Sequence, residues 1–117
     1  MTPTDWPELA TMLSGELKHL RAGAGDVMRG FSATAQAALK PGVMDAKTKE
    51  LIALAISVAV RCDDCIAFHA KAAVGCGATR EEILETLGVA IYMGGGPSAM
   101  YASHALGAAT QFAAAKE

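Results

Sequence analysis

Apolar residues recur along this chain at helical rather than strand spacing, in blocks separated by glycine and proline. Leu9, Met12, Leu13, Leu17 and Leu20 predict a first helix from about Thr4 or Asp5 to Leu20, broken by Gly23 and Gly25. A second, from about Asp26 to Leu39, carries Val27, Phe31, Thr34 and Ala38 on one stripe before Pro41-Gly42 stops it. Asp45 is the expected N-cap of a third, running through Lys49, Glu50 and an apolar stretch to about Arg61. That stretch is apolar all round, the pattern of a buried central helix. A fourth helix begins at Cys62 or Asp63, with two acids in its first turn to complement the dipole, and ends at Gly75-Cys76-Gly77. Thr79-Arg80-Glu81-Glu82 is a capping box that opens a fifth helix carrying Ile83, Leu84, Leu87 and Ile91. Gly94-Gly95-Gly96-Pro97 then breaks the chain before a last helix with Met100, Tyr101, His104, Leu106 and Ala108. No stretch alternates with period two for long, and alanine is abundant. The expected fold is therefore all-α, a single-domain bundle of about six helices over residues 1–117.

Charge narrows the partners. Lys plus Arg is 10 and Asp plus Glu is 12, a net charge of −2 with no basic cluster, which argues against nucleic acid or an anionic membrane surface. The longest uncharged apolar run, Leu51 to Val60, is ten residues, short of the ~20 that a membrane helix needs. The start lacks the basic and apolar regions of a secretory signal, so a cytoplasmic location is expected. Cysteines are kept reduced there, so Cys62, Cys65 and Cys76 are not read as a structural framework. Apolar residues make up 52% and charged residues only 19%. So much apolar surface on a small chain suggests burial between subunits.

The chemistry concentrates in Cys62-Asp63-Asp64-Cys65-Ile66-Ala67-Phe68-His69. At ~100° per helical residue, Cys62, Cys65 and His69 share one face. Cysteines three apart on a helix have Cα atoms about 5 Å from one another, within disulfide range. His69 is the i+4 neighbour of Cys65 and can take its proton, whereas Cys62 lies seven residues and ~10 Å along the axis from His69. The helix N-terminus would instead favour a Cys62 thiolate. Cys65 is thus the expected nucleophile and Cys62 the resolving thiol, with the reverse order open. Zinc held by Cys62, Cys65 and His69 with a remote Cys76 or His104 is a competing reading. Haem attachment is excluded because Ile66, not histidine, follows the pair. Cys76 reads as a small buried or capping residue. Glu50 taken alone reads as a surface charge. The triple glycine reads as a turn, and Tyr101 and His104 are undecided between core and pocket lining.

Glu50, eleven intervening residues, the Cys62-x-x-Cys65 pair and His69 together resemble the alkylhydroperoxidase D and carboxymuconolactone decarboxylase-like family. Asp45 through Ala55, Gly77 through Ile83 and Met93 through Pro97 resemble its flanking segments, so the likeness covers about residues 43–108. It implies an all-helical homotrimer or homohexamer that reduces peroxides or disulfides through both cysteines, re-reduced by an external dithiol, with no cofactor or metal. It also implies that Glu50 joins His69 in a proton relay, a role local reading does not supply. Asp64 stands where some members carry histidine between the cysteines, and a nearby negative charge opposes thiolate formation. Decarboxylases of the family generally lack the cysteine pair. A lyase using His69 and Glu50 as acid–base groups is the alternative activity.

Overall fold

The computed structural model describes residues 1–116 as six helices. They are α1 (Trp6–Gly23), α2 (Gly25–Leu39), α3 (Ala46–Ala59), α4 (Asp63–Gly75), α5 (Arg80–Gly94) and α6 (Gly96–Ala115). Their starts follow from local hydrogen bonding. Asp5 accepts from Glu8 N–H at 3.0 Å and Asp45 from Thr48 N–H at 2.8 Å. At α5 the Thr79 hydroxyl accepts from Glu82 N–H while the Glu82 carboxylate accepts from Thr79 N–H, closing the capping box. Each contact satisfies a donor that the first helical turn leaves unpaired.

Helix α4 packs against α1, α3 and α6, while α5 closes over α3 and α6. Close approach depends on small side chains. Ala67, Ala70 and Ala73 of α4 are fully buried, as are Ala105 and Ala108 of α6. Leu54, Val58 and Ile66 fill the space between them, with Trp6, Leu87 and Phe112 around the margin. Gly94 is required where α5 turns into α6, because a Cβ there would stand 2.7 Å from the Ser98 Cβ. Salt bridging between Lys47 of α3 and Glu82 of α5, at 2.9 Å, ties two helix starts together at the surface.

Three expectations about burial are corrected. The α3 run is not buried all round, since Ile52, Ile56 and Val60 form an exposed stripe while Leu54 and Val58 face inward. The stripe Val27, Phe31, Thr34 and Ala38 of α2 points away from the other helices, and Met28, Ser32, Ala35 and Leu39 make the half-buried face. Helix α2 touches only α1 and α3 and has no buried residue at all. Cys76 caps the C-terminus of α4, as one reading allowed, but it is exposed rather than buried. The physical reason is common to α2 and α3. Periodicity marks an apolar face without saying which element covers it.

Candidate active site

The turn from α3 to α4 aims the cysteine pair. Cys62 N–H donates to Ser57 carbonyl at 3.0 Å, and Arg61 N–H donates to Val58 carbonyl at 3.1 Å, which closes α3 in a Schellman motif. The motif needs a left-handed residue, and Arg61 supplies it with φ 59°. The corresponding position after α4 is a glycine, Gly77, with φ 88°. A side chain in the left-handed region costs roughly 1–2 kcal/mol, so backbone strain sits beside the cysteines.

Cys62 is the N-cap of α4, where its sulfur accepts from Cys65 N–H at 3.1 Å. The two cysteines are joined in a disulfide with Cα atoms 5.2 Å apart. That matches the separation expected from their spacing. Both are half-buried at the start of the helix, where exposed N–H groups and the dipole favour negative charge on sulfur once the bond is reduced.

His69 lies one turn beyond Cys65. Its Nδ1–H donates to Glu50 Oε1 at 2.7 Å, across the α3–α4 interface. The Glu50 side chain is only 13% exposed and that of His69 29%, so the pair is largely withdrawn from water and the contact is stronger than at an open surface. Fixing Nδ1 on the carboxylate sets the tautomer and leaves Nε2 as the nitrogen available for proton exchange. The structure thus joins Cys62 to Cys65 and His69 to Glu50, with His69 one turn beyond Cys65 on the same helix, and it removes Glu50 from the surface, where the residue taken alone would be placed.

A second contact was not legible in the sequence. His104 of α6 meets Asp63, the residue after Cys62, with Nδ1 2.8 Å from Oδ1. Tyr101 and Trp6 flank the imidazole, their ring centroids at 5.1 and 6.1 Å. Among the described residues no three His, Cys, Asp or Glu side chains are arranged to hold a metal ion. A cavity of about 300 Å³ lined by Val74, Ile83, Leu106 and Ala109 lies at the far end of α4, away from the cysteines.

A helical bundle presenting a disulfide at a helix start, with a carboxylate-held histidine one turn on, defines a class of thiol-bearing all-α proteins. Residues 25–108 match the carboxymuconolactone decarboxylase family, and the chain belongs to that family. The match begins earlier than the motif alone indicates and takes in α2. A carboxymuconolactone decarboxylase family protein from Legionella pneumophila is similar in structure, with a TM-score of 0.89 and 50% identity over 92% of this chain and 96% of that one. A family protein from Thermotoga maritima, for which involvement in an antioxidative response has been suggested, has a TM-score of 0.82 and 33% identity, covering 92% of each chain. An uncharacterised protein from Cupriavidus necator is 42% identical over 103 residues, 88% of this chain and 91% of its own.

Proposed function

We propose that this protein is a thiol-dependent peroxidase or disulfide oxidoreductase whose working groups are Cys65, Cys62, His69 and Glu50. The observation that carries the reading is the Cys62–Cys65 disulfide at the α4 N-cap, one turn from a histidine held by a shielded carboxylate. The antioxidative role suggested for the Thermotoga relative supports it.

In the reduced enzyme His69 Nε2 takes the Cys65 proton. The thiolate attacks the peroxide, the O–O bond breaks, and the departing alkoxide receives a proton to leave as an alcohol. Cys65 is now a sulfenic acid. The Cys62 sulfur attacks it, the S–S bond forms, and water leaves. An external dithiol then attacks the disulfide, is itself oxidised to a disulfide, and returns both thiols. Glu50 orients the His69 ring and stabilises its protonated form between these transfers.

The same proposal covers the setting of the chemistry. Residues 1–117 act as one domain in the cytoplasm, and no helix among the described residues is long and apolar enough to cross a membrane. Exposed Ile52 and Ile56 on α3 with Val60 at its C-cap, and Val89, Tyr92 and Met93 on α5, support assembly as a homotrimer or homohexamer. Sedimentation at micromolar concentration checks this, and a stable monomer would overturn it.

The deciding experiment is turnover of an organic hydroperoxide with lipoyl, thioredoxin and glutathione reductants compared side by side. Turnover with at least one dithiol, abolished by Cys65→Ser, is the expected result. The lyase reading uses His69 and Glu50 but leaves the cysteines idle. Lactone decarboxylation that persists after both are alkylated would favour it.

A further inference from the structure

Thiolate chemistry at Cys62 faces an electrostatic obstacle, because two carboxylates, Asp63 and Asp64, follow it directly. A negative charge beside a sulfur opposes its ionisation. Asp64 is exposed to screening solvent. Asp63 is treated differently, since its Oδ1 meets Nδ1 of His104 at 2.8 Å, from a helix 41 residues away in the chain. The imidazole has a defined seat, with the Tyr101 ring centroid at 5.1 Å and that of the buried Trp6 at 6.1 Å. Elements α1, α4 and α6 therefore converge on one histidine. Both partners are 44% exposed, so the pair adds little to stability as a surface ion pair. Its consequence lies in where its charge falls, one residue from a cysteine.

Building on the dithiol reading above, we propose that His104 is a positioning residue for Cys62. Its imidazolium neutralises Asp63 and so allows the Cys62 thiol to ionise for the step that closes the disulfide. In that step the Cys62 thiol releases its proton and the thiolate attacks the Cys65 sulfenic sulfur. The S–S bond forms as the S–O bond breaks, and the departing hydroxide takes up a proton to leave as water. No further oxidant or reductant enters. His69 cannot serve this function, because it is engaged with Glu50 on α3. Exposed Arg61 of the turn, Asp64 and the Tyr101 phenol also belong to this end of the bundle, and α1 brings the Trp6 ring against His104.

The test is the alkylation rate of each cysteine in the reduced full-length protein, followed from about pH 5 to 9 by peptide mass spectrometry, with helix content and Trp6 fluorescence reporting the fold. His104→Asn places an amide where Nδ1 stood, keeping a donor to Asp63 without its charge. A unit charge a few residue widths away changes ionisation roughly three- to tenfold at intermediate dielectric. His104→Asn should slow Cys62 alkylation by that factor. Asp63→Asn should speed Cys62 alkylation, and adding His104→Asn to it should not slow the reaction below native. Cys65 and Cys76 should change less than twofold. A mere clamp between α4 and α6 would move both single variants the same way, because each breaks or weakens one contact. Shifts in the same direction, or none at Cys62, overturn the assignment. Alkylation needs no peroxide, so the two readings fail separately. Opposite shifts in a protein that consumes no peroxide sink only the peroxidase function, and peroxide turnover without opposite shifts sinks only the role of His104.

Discussion

Removing the charge from Glu50 gives the sharpest measure of the site. Glu50→Gln keeps the side-chain shape and an oxygen that can accept from His69 Nδ1, but replaces a charge-assisted contact at 2.7 Å by a neutral one. Hydrogen bonds to charged groups contribute ~1.5–3 kcal/mol against ~0.5–1.5 for neutral ones. With Glu50 only 13% exposed, solvent screens little of that difference. A loss of ~1–1.5 kcal/mol in stabilising the protonated His69 corresponds to a slowing of about five- to tenfold. His69→Gln removes the base itself and should cost on the order of 10²-fold or more. In the proposed relay Glu50 acts through His69, so the double variant should be no more than about twofold slower than His69→Gln alone. The assay is rapid mixing of the reduced protein with an organic hydroperoxide, reading the first turnover by loss of free thiol between pH 6 and 9. Rates of the His69 variant should recover at high pH, where a thiolate forms without help from a base. Multiplying effects in the double variant, or no recovery at high pH, would refute the relay.

Three further outcomes follow from the geometry. Cys62→Ser should react once with peroxide and leave a sulfenic acid on Cys65 that a dimedone-type probe traps, whereas Cys65→Ser should give none; trapping on Cys62 at the native rate would reverse the order of attack. Arg61→Gly should raise stability by about 0.5–1 kcal/mol in urea unfolding, the relief of the left-handed strain less the added freedom of the unfolded glycine; a destabilised variant would show that the arginine side chain outweighs its backbone cost. Stability should also fall at both ends of the pH range. The Asp45 carboxyl is held below its ordinary range first by its side-chain contact with Thr48, and that of Glu82 first by Lys47. The unfolded chain therefore binds more protons there, and their contribution, present above the ordinary carboxylate range, is lost as pH drops below ~4. Lys47 is raised by Glu82, so its contribution is complete below the ordinary lysine range and lost above ~10.5. Charge-neutral Glu82→Gln should flatten both limbs in urea titrations, and unchanged limbs would sink the assignment.

Local chemistry made much of this protein legible before any fold was known. The caps at Asp45 and Thr79, the breaks at glycine and proline, and the 5.2 Å spacing of Cys62 and Cys65 all depend on residues within one helical turn. A hydrogen bond between neighbours in sequence is set by backbone geometry that the neighbours themselves establish. The left-handed Arg61 was the local exception, because an arginine carries none of the signal that glycine gives at Gly77. What only the tertiary structure decided is which faces meet. Glu50 and His69 are 19 residues apart and Asp63 and His104 are 41 apart, so neither contact follows from spacing along one helix. The first was anticipated through resemblance to a family, and the second was not anticipated at all. The docking of α3 and α6 on α4 depends on alanines at buried positions that look in the sequence like many others. The same lack of partner information misplaced the stripes of α2 and α3, since a face is apolar by composition but buried only by what packs against it.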